Sequence, residues 1–268
     1  MGILHAALLG LLQALTEFLP VSSSGHLALA RMLFGLEEPA LLFDTFLHLG
    51  TLVSVIIVLR HDIWALLRRP LQKQTGLLAA ATAVTTVFAL ALKKIRIGGG
   101  ESFLDEAGQT PLFLGAAFLI TAASLCVSEF IARKKVFARS SAEMNLVDAL
   151  VIGMAQGAGV LPGISRSGST LAGALGRGIE RESAAKFSFL LSIPAILGAL
   201  VLQLPDIPES MNENWPPVAA GTLCAAIGGF FSIRIMLKIV KTRPLYGFAV
   251  YTAALGILVI VLRATLIN

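Results

Sequence analysis

The chain has 268 residues, 56% hydrophobic and 14% charged, with a mean hydropathy of +0.83. A water-soluble domain carries about 25% charged residues, so this composition excludes an ordinary soluble fold and points to lipid. The net charge of +5 does not signal nucleic acid, because the cations gather in short connections beside apolar runs.

The first element, 3–36, is an apolar helix that breaks at Pro20, presents Ser22, Ser23 and Ser24, and resumes as a second helix. An interruption at that depth is tolerated only inside protein or a water-filled cavity, so a re-entrant hairpin is expected. No basic stretch or small-residue cleavage site marks the start, and no cleavable signal peptide is expected. Apolar runs long enough to cross a hydrocarbon core about 30 Å thick follow near 43–60, 75–93 and 110–131. The Gly98–Gly100 run between them lacks the context of a nucleotide loop and reads as a flexible turn. A second broken hairpin at 146–182 precedes three further runs near 185–204, 216–238 and 247–265. Cys126 and Cys224 sit singly in apolar helices and read as packing residues. Trp64 and Trp215 suit the membrane interface, as do His5 and His61 near helix ends.

Basic clusters orient these runs. Arg60, Arg68, Arg69 and Lys73 form one, Arg133, Lys134, Lys135 and Arg139 a second, and Arg234, Lys238, Lys241 and Arg243 a third. The positive-inside rule places all three in the cytoplasm, whereas 205–215, with Asp206, Glu209 and Glu213 and no Lys or Arg, faces out.

The hairpins repeat one another. At an offset of 143, Gly10, Gln13, Ser22, Ser24 and Gly25 fall on Gly153, Gln156, Ser165, Ser167 and Gly168. A unit of one hairpin and three spans has an odd number of crossings, so the second unit starts on the opposite side. The expected architecture is an all-α polytopic membrane protein with an inverted-topology repeat, six full spans and two re-entrant helix–loop–helix hairpins. Residues 1–131 form the first repeat and 146–268 the second, with the site where the two breaks meet near the midplane.

The polar residues at those breaks carry the chemistry. Gln13 and Glu17 are one helical turn apart and share a face. A carboxylate inside an apolar segment reads as a metal ligand, a general base or a group paired to a neighbour. One hydroxyl of the serine triplet, Ser22 or Ser24, is accounted for as a cap. Ser23, with His26 one turn on, offers a nucleophile and a base, or His26 activates a water. In the second break, Pro162–Gly163 exposes a helix N-terminus, where unsatisfied N–H groups and the dipole favour phosphate. Gly163, Gly168, Ser165, Ser167 and Thr170 complete that cradle, and Arg166 supplies a planar fork for a phosphate, or an ion-pair partner for Glu17. Asp44 and His48 are candidates for an outer vestibule.

Gln13-x-x-x-Glu17 with Phe18-Leu-Pro-Val-Ser-Ser-Ser-Gly-His26, and Pro162-Gly-Ile-Ser-Arg-Ser-Gly-Ser-Thr170, resemble the two motifs of bacterial undecaprenyl pyrophosphate phosphatases of the bacitracin-resistance type. The resemblance spans essentially the whole chain. It implies hydrolysis of undecaprenyl pyrophosphate to the monophosphate in recycling of the cell-wall lipid carrier, in the bacterial cytoplasmic membrane, with the site open to the outer face. It also implies a divalent cation, Mg²⁺ or Ca²⁺, at Glu17 and Gln13, and catalytic roles for Ser23, His26, Glu17 and Arg166. Gln13 is the amide variant of the family's acidic pair, leaving one carboxylate there. The partners expected are the polyprenyl pyrophosphate and membrane lipids, with no nucleic acid and a homodimer left open. A polyprenyl-phosphate flippase is the rival, since transporters also bind anions at broken helices. An antibiotic-binding membrane protein without catalysis is a third, weaker reading.

Overall fold

The computed structural model of the chain describes residues 1–36, 41–97, 101–102, 110–134, 138–203 and 215–263. Those residues form eleven α-helices: α1 (Ile3–Phe18), α2 (Ser23–Phe34), α3 (Leu41–Val58), α4 (Arg60–Arg68), α5 (Lys73–Lys93), α6 (Pro111–Lys134), α7 (Leu146–Ala158), α8 (Arg166–Gly176), α9 (Arg181–Gln203), α10 (Trp215–Thr242) and α11 (Tyr246–Val261). A single 3-10 turn at Ser141–Glu143 and one antiparallel pairing of Arg96–Ile97 with Glu101–Ser102 complete the regular structure among the described residues. The Gly98–Gly100 turn and most of the 205–215 connection lie outside the described residues.

Both hairpins are present, and local chemistry explains their breaks. α1 stops at Leu19, which is extended (φ −74°, ψ 144°) because the following Pro20 disfavours the helical conformation before it. Ser22 then caps α2 by accepting from the Gly25 N–H at 3.3 Å. In the second hairpin, α7 opens on a reciprocal capping box between Asn145 and Asp148 and ends at Gly159. Gly163 turns the chain at φ +83°, a conformation that favours glycine, and Ser165 caps α8 by accepting from the Gly168 N–H at 3.0 Å.

Four helices are long and apolar enough to cross a membrane, α5, α6, α9 and α10, and a fifth span is made if α3 and α4 count as one. The chain is a multi-pass membrane protein. The run near 43–60 ends at Val58 and bends through 77° into the short helix α4, none of whose residues is buried. The last run is the 16-residue α11, shorter than the expected 247–265, with 264–268 outside the described residues.

α1 packs along α10, and α7 packs along α5. A Cβ on Gly10 would collide with the Gly221 carbonyl oxygen, and one on Gly153 would lie 2.6 Å from that of Ala81, so both contacts are backbone against backbone. α3 packs on α10, α6 on α11, and α8 is held between α6 and α7. The main core, with Phe18, Val55, Ile152, Leu171, Phe187, Phe189 and Met236, joins both halves of the chain.

The basic connections are tied to one another. Lys73 Nζ donates to Ala142 O at 3.0 Å, and Arg181 Nη1 donates to Arg243 O at 3.3 Å. Arg139 grips the fully buried Asp148 with two nitrogens, at 2.8 and 2.9 Å, and Arg177 adds a third donor at 2.7 Å. The backbone of Arg139 also bonds Gly178 and Glu180. Glu129, fully buried on α6, accepts from Arg181 and from the Leu245 N–H. Each buried carboxylate is thus paired and hydrogen-bonded, as burial of a charge requires. These pairs put Lys73, Arg139 and Arg243, one residue from each basic cluster, on the same side of the molecule as both ends of the second hairpin.

Candidate functional site

The two breaks meet. Ser167 Oγ donates to Leu19 O at 2.9 Å, and the Gly163 N–H reaches Ser24 Oγ at 3.4 Å. The backbones touch closely enough that a Cβ on Gly25 would lie 3.1 Å from Gly163 Cα.

Glu17 is the hub of this junction and is 5% exposed. Its Oε1 is ion-paired to Arg166 Nη2. Its Oε2 accepts from Ser23 Oγ at 2.7 Å and from Gln13 Nε2 at 3.0 Å. Gln13 Nε2 also donates to His48 Nδ1 at 2.9 Å, and that nitrogen lies 3.4 Å from Glu17 Oε2. An amide nitrogen only donates, so His48 presents a lone pair there, and Gln13 Oε1 is left buried without a partner. Arg166 Nη1 is likewise buried without a partner. One donor and one acceptor inside the junction therefore have no protein group to bond. Ser23 is half-buried and Ser24 exposed, which gives access to the junction at the serine triplet.

Ser23, Glu17, Gln13 and Arg166 come together from two hairpins 143 residues apart, and His48 joins them from α3. His26 does not. Its Nδ1 donates to Ser22 O at 2.7 Å, and its Nε2 takes the hydroxyl of Tyr251 at 2.8 Å. The expected pairing of Ser23 with His26 is therefore replaced by Ser23 with Glu17: the helix does begin by Ser23, but its rotation turns the imidazole toward α6 and α11. Asp44 is engaged with Arg31 of α2 rather than with His48.

The hydroxyls expected to cradle an anion are largely committed within the protein. Ser165 caps Gly168 and lies 3.3 Å from Ser167 Oγ, and Ser167 holds Leu19. Thr170 Oγ1 bonds Arg166 O, Ser167 O and Ser188 Oγ, and is fully buried. Their work is to fix the shape of the break and the backbone of Arg166. Ser22 and Ser24, 3.4 Å apart, repeat the Ser165–Ser167 contact in the first hairpin. Tyr251 carries no motif signal. Only a polar ring alone in the apolar run 247–265 could have pointed to it.

The fit to a divalent cation is specific and limited. Among the described residues, no three His, Cys, Asp or Glu side chains converge as a ligand set. Glu17 would contribute one carboxylate, and Gln13 Oε1, buried without a partner, would be the second oxygen open to an ion. Mg²⁺ is commonly held by one or two carboxylates with water and substrate phosphate oxygens, so this set fits an ion that arrives with its substrate.

Comparison with known proteins agrees with the motifs. The family model described as bacitracin resistance protein BacA matches residues 6–258. The chain is 42% identical to the undecaprenyl-diphosphatase of Carboxydothermus hydrogenoformans, across 98% of each chain. It is 39% identical to undecaprenyl-diphosphatase 4 of Bacillus thuringiensis subsp. konkukian, across 99% of each. For the undecaprenyl-diphosphatase of Syntrophotalea carbinolica the identity is 40%, across 96% of this chain and 97% of that protein. With a family match over nearly its whole length and relatives at this identity, the chain belongs to the BacA bacitracin resistance family.

Proposed function

We propose that the chain is an integral membrane phosphatase hydrolysing undecaprenyl pyrophosphate to undecaprenyl phosphate and phosphate, recycling the cell-wall lipid carrier and conferring bacitracin resistance. The observation that carries the reading is the contact of Ser23 Oγ with Glu17 Oε2 at 2.7 Å beside Arg166, in a chain of this family. An alcohol poised on a shielded carboxylate is the arrangement of an activated nucleophile. A flippase would need the anion cradle but not that pair.

In this mechanism Arg166 turns its unpartnered Nη1 to the terminal phosphate. Ser23 Oγ attacks that phosphorus in line, its proton passes to Glu17, and the bond to the bridging oxygen breaks. Undecaprenyl phosphate leaves with the electron pair of that bond. Water then attacks the phosphoserine, the bond from phosphorus to Ser23 Oγ breaks, Glu17 returns its proton to that oxygen to restore the hydroxyl, and the water's oxygen and protons leave with the phosphate. Phosphoryl transfer asks mainly for such positioning and for charge stabilisation. Glu17 and Gln13 Oε1 would hold a divalent cation, which would supply positive charge for the phosphate oxygens. The polyprenyl tail lies sideways between helices in lipid.

The same proposal sets the protein in the bacterial cytoplasmic membrane as an inverted repeat, 1–131 and 146–268, with the junction open to the outer face. It is supported by the matching helix contacts of the two hairpins and by Lys73, Arg139 and Arg243, one residue from each basic cluster, on the side of the second hairpin's ends.

Phosphate release from undecaprenyl pyrophosphate in detergent tests the activity. Rapid quenching with labelled substrate, then mass spectrometry of the peptide holding Ser22–Ser24, tests the nucleophile. A phosphopeptide is expected, with Ser23→Ala slower by at least about 10³-fold. No phosphopeptide together with substantial Ser23→Ala turnover would assign the attack to water.

A further inference from the structure

We propose that Tyr251, on the last helix, is a positioning residue that holds the strained turn presenting Ser23. The inference rests on the reading of Ser23 as nucleophile.

Among the described residues, Ser22 is the one residue other than glycine with a positive φ, at φ 72° and ψ 94°. A side chain with a β-carbon resists that conformation, and it persists only where its surroundings impose it. Three bonds hold it. The Gly25 N–H holds Ser22 Oγ at 3.3 Å, and Ser22 O accepts from the His26 N–H at 3.2 Å and, more closely, from His26 Nδ1 at 2.7 Å. A carbonyl oxygen only accepts, so the last bond requires the proton on Nδ1. In the neutral ring that leaves a lone pair on Nε2, and the Tyr251 hydroxyl donates into it at 2.8 Å.

Tyr251 thus fixes both the tautomer and the direction of the imidazole, as a partner on one ring nitrogen sets what the other can do. The rings of His26 and Tyr251 are near parallel, at 11° with centroids 5.7 Å apart, and Phe118 closes on His26 edge-on at 5.4 Å. No charged group bonds His26; its partners are the Ser22 carbonyl, the phenol and the Phe118 edge. His26 is 8% exposed but Tyr251 is 48% exposed, so core packing does not trap the phenol where it is. The chain of support runs from Tyr251 to His26, to the Ser22 carbonyl, and so to the Ser23 hydroxyl on Glu17. Without the phenol, Nε2 loses its donor, the imidazole gains a second tautomer, Ser22 relaxes, and Ser23 leaves its line with the carboxylate.

A double-mutant cycle with Ser22→Gly tests this. Glycine adopts positive φ without a β-carbon penalty and caps a helix nearly as well as serine. In the full-length enzyme, Tyr251→Phe is expected to lower kcat about tenfold, the order of one lost hydrogen bond, with KM changed less than about twofold. The ¹⁵N spectrum of His26 should show a single Nδ1–H form that Tyr251→Phe converts to a mixture. In the Ser22→Gly background the further change to Tyr251→Phe should cost less than about twofold, because the turn no longer needs holding. A tenfold loss persisting in that background would make the phenol a proton carrier and overturn the proposal, as would full activity of Tyr251→Phe. Substantial turnover of Ser23→Ala, measured alongside, would remove the nucleophile reading alone, since the tautomer spectrum and the cycle report the hold on the turn without it.

Discussion

The two broken hairpins share a scaffold and divide the chemistry. In both, a serine caps the second helix from the residue before it, accepts from a glycine N–H three positions on, and lies near a second serine two positions on. In both, a glutamine within the last two turns before the break is buried, with Nε2 bonded and Oε1 without a partner. At the 143-residue offset, however, Glu17 falls on Val160, Ser23 on Arg166 and His26 on Ser169. The carboxylate and the proposed nucleophile stand in one hairpin and the permanent cation in the other. The two turns are capped alike but differ in backbone, Ser22 standing at φ 72° and Ser165 at φ −72°, and the different residues at the Glu17/Val160 and Ser23/Arg166 positions put opposite charges across their junction. A charge buried in such a place needs its counterpart, so neither hairpin holds its polar residue cheaply alone.

Changes at the unshared positions should therefore matter most. Glu17→Gln removes the partner of both Ser23 and Arg166, and we expect a loss of about 10³-fold in phosphate release, with metal stimulation abolished. Elution as a folded species in detergent separates this from misfolding. Arg166→Lys keeps charge but loses the fork that serves Glu17 and a phosphate together, and a fall of about 10²- to 10³-fold is expected in kcat/KM. Near-normal turnover of either variant would dissolve the division of labour between the hairpins. Gln13→Leu leaves Glu17 its ion pair and its serine, so it should weaken hydrolysis by only about tenfold, raising the cation concentration needed for half-maximal rate. An unchanged cation requirement would take Gln13 Oε1 out of the proposed ligand set.

Much of this was legible in sequence because breaks in membrane helices are written by proline, glycine and caps, which act locally. The extents 3–36 and 146–182, the stop before Pro20 and the serine cap follow from neighbours along the chain. The meeting of Glu17 with Arg166 was one of two options left open by the cost of a lone buried charge, and the structure pairs them. What sequence could not give is rotation. His26 stands at the spacing that lets a histidine meet a serine, yet its direction is decided by Tyr251, 225 positions away. Thr170 reads as a ligand by motif, but Ser188 and the α8 backbone consume its hydroxyl. The bend after Val58 follows no proline or glycine. There the apolar run gives way to Arg60, His61 and Asp62, charged and polar residues that are costly to keep in hydrocarbon.

The mildest and most discriminating change lies at a shared position. Gln156 is the counterpart of Gln13, but its Nε2 bonds Thr85 Oγ1 at 3.2 Å, and no carboxylate bonds it among the described residues. Gln156→Leu would orphan nothing, because Thr85 Oγ1 still donates to Ala81 O at 2.9 Å or Gly153 O at 3.0 Å. The substitution also removes a buried oxygen that has no partner, which is a cost to the native state. Leucine is close in volume and suits the apolar wall formed by α5. We therefore expect kcat and KM within about twofold of the unaltered enzyme, and a thermal midpoint unchanged or slightly raised. Measured beside Gln13→Leu, this pair asks whether the duplicated glutamine is chemistry or inheritance. Equal losses from both substitutions would mean that the second hairpin owns a working polar site of its own, and the unequal partition argued above would fail.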